Sequence, residues 1–127
     1  MSENIVLVKA KEKPEGRGAK VKRAFPTNEL SSVNPFLLLD EFFVEPPAGF
    51  PMHSHSGFEA ITFMLEGSFK HEDTSGKSGV IRKGEVQHMV TGKGVQHSEM
   101  PGGEGRNHGL QLWIKLPEEI QNIEPSY

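Results

Sequence analysis

A chain of 127 residues, 35% hydrophobic and 24% charged, has room for one domain around one core and hardly for two. Its net charge of −3 argues against a general nucleic-acid binder, and the absence of cysteine excludes a disulfide framework and any thiolate metal site. No apolar run approaches the roughly 18 residues of a membrane span and the N-terminus lacks a signal-peptide core, so the expectation is a soluble protein of the cytoplasm, or also of the nucleus in a eukaryote.

Fourteen glycines and nine prolines in so short a chain imply many turns, and therefore short strands rather than long helices. Residues Asn4 to Lys9 read as a first strand, followed by a charged turn from Lys11 to Gly18. Ala19 to Phe25 alternates small or apolar with basic residues, as a half-exposed strand does. Seven of the 14 Lys and Arg lie between Lys9 and Arg23, and a solvated, edge-protecting face is the simplest reading of them. Phe36 to Phe43 is the most apolar run and reads as a buried strand. The stiff loop Glu45 to Pro51 delivers the chain to His53. Phe58 to Lys70 continues the sheet with a kink at Gly67, and a polar turn, His71 to Ser78, leads into a returning strand at Gly79 to Arg82. Val86 to Thr91, Val95 to Glu99 and His108 to Leu116 complete the set. The length of Phe36 to Phe43 alone would also allow a short helix, and otherwise no helix is convincing except over Pro117 to Ile123. Short strands at regular spacing with turn signals between them point to an all-β sandwich or barrel.

Chemistry concentrates at two places. His53 and His55 are two residues apart, so on an extended strand both imidazoles project to one face. His97 and Glu99 repeat the device about forty residues on. If a barrel brings the two strands together, three neutral imidazoles and one carboxylate form a cup suited to a divalent first-row metal: iron, manganese, cobalt, nickel, copper or zinc. Zinc would close a tetrahedral shell, whereas iron or manganese would leave positions for water, oxygen or substrate. Spacing does not choose between them.

The ordered motifs Asn34–Phe42, Pro47–Pro51, His53 through Gly67, Gly79–Arg82, His97–Pro101 and His108–Trp113 closely resemble the N-terminal domain of pirins, within the cupin superfamily. The resemblance covers nearly the whole chain. It implies a cupin-type β-barrel of two packed antiparallel sheets, a single domain over residues 1–127 with residues 117–127 beginning a linker or tail, and iron, Fe(II) or Fe(III), held by His53, His55, His97 and Glu99. It further implies a dioxygenase acting on flavonols such as quercetin, with Glu99 taking the hydroxyl proton. The alternative is an iron-dependent, protein-binding transcriptional co-regulator without catalytic activity.

Other residues carry smaller expectations. Glu59 stands outside the ligand set, in a hydrogen-bonding role. Pirins usually carry Pro and Arg where this chain has Ser54 and Ser56, Pro where it has Lys83, and Trp where it has His88. His88 shares a strand face with Val86 and Val90, which would turn it into the barrel, as a hydrogen-bonded interior or rim residue or nearer the metal. His71 is expected exposed in its polar turn, and His108 structural. Pirins normally contain two cupin domains, so Phe36, Phe42 and Trp113 are expected on an uncovered apolar face, with a homodimer as the outcome.

Overall fold

The computed structural model describes residues 5–127, and period-two burial runs through it. In β5 (Phe58–Glu66) the side chains of Phe58, Ala60, Thr62 and Met64 are buried while those between them are half-buried. In β3 (Phe36–Val44) Leu38, Asp40, Phe42 and Val44 alternate in the same way. Strands patterned like this must lay one face on another sheet. A six-stranded antiparallel sheet runs in the order β1 (Lys11–Glu15), β2 (Ala19–Phe25), β3, β10 (Asn107–Lys115), β5, β8 (Val86–Val90). A four-stranded sheet, β4 (Phe50–His55), β9 (Val95–Pro101), β6 (Ser68–Asp73), β7 (Ser78–Arg82), packs against it.

One core cluster joins Val21, Phe42, Val44 and Met64 of the larger sheet to Phe69 of the smaller, with the Phe42 and Phe69 rings stacked at 4.8 Å. Full burial of each such ring stabilises the fold by about 1.5–3 kcal/mol. A second cluster gathers Phe58, Ala60 and Met89 around Trp113. Between them lies a polar row across the larger sheet. Arg23, Asp40, Gln111 and Thr62 are successive register partners. The Arg23 guanidinium donates to both Asp40 oxygens, each at 2.8 Å.

Gly67 is where the chain leaves one sheet for the other. Its φ is +74°, and a Cβ there would collide with the Asn107 side chain, whose Oδ1 accepts from the Ser68 amide at 2.9 Å. The corner is thus more than a kink, since β5 and β6 belong to different sheets.

Several expectations change. Of the proposed first strand, Asn4 lies outside the described residues, and residues 5–9 form no strand. Ile5, Val6 and Leu7 are 74–88% exposed because no neighbouring strand pairs with them. The charged segment behind them is instead β1, an edge strand whose Lys and Glu side chains suit that place. Arg23 leaves the solvated basic face for a part-buried ion pair with Asp40. Pro117 to Ile123 contains only a 3-10 turn, Glu118–Ile120. The final residues do not trail away: Ser126 pairs with Val90 through two backbone hydrogen bonds, so the segment covers the β8 edge. Phe42 is buried and Trp113 is half-buried against Phe58, which leaves Phe36 alone, at 37% exposure, on the expected apolar face.

Candidate metal centre

Register assembles the donors. On β4 and β9, His53 stands opposite His97, and on β9 and β6, His97 stands opposite Asp73. One row along, Glu99 stands between Phe50 and His71. Alternation turns His97, Glu99, His71 and Asp73 inward, where all four are buried, while His53 and His55 are half-buried at the rim. One ring nitrogen from each of His53, His55 and His97 falls within a 4.8 Å cluster, and Glu99 Oε1 is 4.0 Å from His97 Nε2.

The donor chemistry fits a cation. His53 Nδ1 lies 2.7 Å from the Pro51 carbonyl, which can only accept, so His53 carries its proton there and presents an Nε2 lone pair. That lone pair faces His97 Nε2 at 2.9 Å, where either a proton or a metal ion must stand. Two nitrogens bound at about 2.1 Å to one ion, at right angles, lie about 3 Å apart.

The electrostatics favour neutral imidazoles. Burial, with His53 nearby, lowers the His55 pKa to about 4. Burial and then His53, His55 and His71 lower that of His97 to about 3. Their lone pairs are therefore available at neutral pH. Burial pushes the Glu99 carboxyl up to about 7, only partly offset by the Gln111 amide. A metal ion would reverse that, because a cation beside a carboxylate favours its ionised form.

The donors open onto a cavity of about 740 Å³ lined by His53, His55, Glu99, Asp40 and Gln111 and walled by Phe50, Phe58 and Trp113. The His55 ring meets Phe58 and Trp113 edge-on, each at 5.1 Å. Trp113 Nε1 donates to Gln111 Oε1 at 2.9 Å, and this turns the Gln111 amide nitrogen toward Thr62.

His53, His55 and His97 fall in one cluster, whereas Glu99 groups with His97 and His71, and the places of His71, His88 and Glu59 need revision. His71 is not in an exposed turn: β6 runs on to Asp73, and His71 is 4% exposed with Nδ1 3.3 Å from His97 Nδ1. His88 points out of the barrel, since Met89 is the inward residue of β8, and His88 Nε2 contacts Glu59 Oε1 at 2.8 Å. Glu59 thus has its hydrogen-bonding role, but on the outer surface. His108 is structural, bonded to Glu41 at 2.7 Å and stacked on Phe43. His71 and Gln111 are the site residues that spacing analysis passed over. Phe69, His71 and Asp73 at i, i+2 and i+4 carried the signal for the first.

The profile of a family described as Pirin matches residues 18–114. A pirin-like protein of Solanum lycopersicum is 52% identical over 123 residues, 97% of this chain and 42% of that protein. A quercetin 2,3-dioxygenase from Acinetobacter baumannii superposes with a TM-score of 0.82 at 32% identity, over 94% of this chain and 46% of that one. The bacterial pirin YhhW of Escherichia coli, in complex with nickel(II), gives 0.82 at 28% identity, over 92% and 52%. The chain therefore spans less than half the length of the curated relative it matches.

Proposed function

The chain belongs to the pirin family, and on that footing we propose that His53, His55, His97 and Glu99 hold iron, or another divalent first-row metal, and that the adjoining cavity takes a flavonol for a quercetin 2,3-dioxygenase type of oxygenation. The observation that carries the reading is the cavity itself. Donors sealed in a core would serve a structural ion, whereas His53, His55 and Glu99 border about 740 Å³ with flat aromatic walls. No helix of the described residues is long and apolar enough to cross a membrane.

A metal held by these residues would supply a Lewis-acid centre. The chain's own residues bind, orient and move a proton. Phe50, Phe58 and Trp113 offer ring faces and edges to a planar aromatic ligand. Glu99 is buried and lines the cavity, and in this reading it takes the proton of a flavonol hydroxyl. Gln111, whose Oε1 accepts from Trp113 and whose amide nitrogen donates to Thr62, lines the same cavity. The competing reading, an iron-dependent protein-binding module without catalysis, requires neither open donors nor an aromatic cavity.

Metal-free chain, loaded in turn with Fe(II), Mn(II), Co(II), Ni(II), Cu(II) or Zn(II) and given quercetin in air, tests the reading. Loss of flavonol absorbance with at least one metal and none without is expected. No turnover with any metal would refute the oxygenase reading.

A further inference from the structure

Behind His97 sits a group that the proposed chemistry does not use. His71 is 4% exposed, its Nε2 meets no polar partner among the described residues, and its Nδ1 lies 3.3 Å from His97 Nδ1. We propose that His71 is the positioning residue of His97, and that metal loading reverses the hydrogen bond between them. The inference rests on His97 being a metal donor.

Imidazole nitrogens in contact need one proton between them, because two lone pairs repel and two N–H groups clash. In the metal-free chain one arrangement serves every contact. His53 Nδ1–H donates to the Pro51 carbonyl, His97 Nε2–H donates to His53 Nε2, and His71 Nδ1–H donates to His97 Nδ1. The unpartnered His71 Nε2 is then a lone pair.

A metal ion on His97 Nε2 takes the lone pair at that atom, so the proton of His97 must stand on Nδ1. Its partner there is His71 Nδ1. His71 can accept only if its own proton moves to Nε2. Two protons relocate, the pair gains and loses none, and its charge is unchanged. A ligating histidine whose other N–H is met in this way is fixed in tautomer and ring orientation.

The surroundings hold His71 for this task. The Tyr127 ring packs edge-on against it at 4.6 Å, and the Tyr127 hydroxyl donates to Asp73 Oδ2 at 2.6 Å. Asp73 Oδ1 in turn accepts from the Ser75 amide at 2.9 Å, the Ser75 hydroxyl at 2.6 Å and the Lys77 amide at 3.0 Å. Tyr127 thereby braces the outer partner of a metal donor.

Nitrogen-15 NMR of the imidazoles, in the whole chain free of metal and then with one equivalent of diamagnetic zinc(II), reads the tautomers directly. On loading, His71 should pass from the Nδ1–H to the Nε2–H form and His97 the other way. His71→Phe keeps a ring against Tyr127 but offers no acceptor, and it should weaken zinc binding about 10–100-fold in chelator competition. His71→Asn places an oxygen where Nδ1 stood and should recover most of that loss. An unchanged His71 tautomer, or a His71→Phe affinity within twofold of wild type, overturns the inference. If His71→Phe does not fold by circular dichroism, the wild-type tautomers decide alone. Failure of wild type to bind zinc overturns the metal reading too, and is seen before any variant is made.

Discussion

Replacing Glu99 by Gln should make the metal-free protein more stable at alkaline pH while abolishing its proposed chemistry. The folded-state carboxyl titrates at about 7 against an ordinary 4.5, chiefly because the group is buried. As pH rises past 4.5 the unfolded chain gives up this proton first, so the folded state is progressively disfavoured until the pH passes about 7. The contribution of protonated Glu99 is thus fully present below 4.5 and lost above 7. The gap converts to about 3 kcal/mol. Gln has nearly the same shape and cannot ionise, so it escapes the penalty. Urea unfolding of metal-free wild type and Glu99→Gln, followed by Trp113 fluorescence, should differ little at pH 4.5. At pH 8.5 the variant midpoint should be about 1–3 M higher, given a urea slope of about 1–3 kcal/mol per M. Equal midpoints at pH 8.5, or a less stable variant, would refute the burial argument.

His53→Ala, His55→Ala and His97→Ala should each remove most bound metal by elemental analysis, because a three-donor remnant holds an ion far more weakly; stoichiometric metal in all three would contradict the cup. His55 and His97 have folded pKa values of about 4 and about 3, below the ordinary 6.5, so the unfolded chain takes up protons first as pH falls. Metal-free stability contributed by these two should accordingly be lost between pH 6.5 and about 3–4, as acid titration by circular dichroism would register. His88→Trp lies on the outer face and should leave metal content unchanged and stability within about 0.5 kcal/mol; loss of metal would show His88 turned inward. Phe69→Ala empties the contact between the sheets and should cost about 3–5 kcal/mol in denaturant unfolding.

The sheets and the meeting of the His53, His55 strand with the His97, Glu99 strand were legible because both depend on period two. The His53, His55 and His97, Glu99 pairs needed only extended backbone and an antiparallel neighbour, and β4 beside β9 supplies both. The misreadings share a physical origin. β1 is built from Lys, Glu and Pro, and an edge strand with so little to bury carries no apolar alternation. Ile5 to Leu7 has strand-like side chains but no partner, and propensity alone does not make a ladder. On β8 the parity was set by Val86 and Val90, yet Val86 is 57% exposed and Met89 is the core residue, which turned His88 to solvent. His71 was hidden because a polar segment reads as a turn unless a metal-type interior gives its polar groups something to meet. Arg23, one of seven clustered basic residues, is distinguished only by facing Asp40 across β2 and β3.

In the proposed centre, three imidazoles and one carboxylate from β4 and β9 bind one ion. X-ray absorption spectroscopy of the chain loaded with one equivalent of nickel(II) tests it most directly, through the imidazole scattering around the metal. Three imidazoles in wild type, falling to two in His97→Ala, is the result the structure predicts. One imidazole or none, or a count unmoved by that substitution, would contradict it.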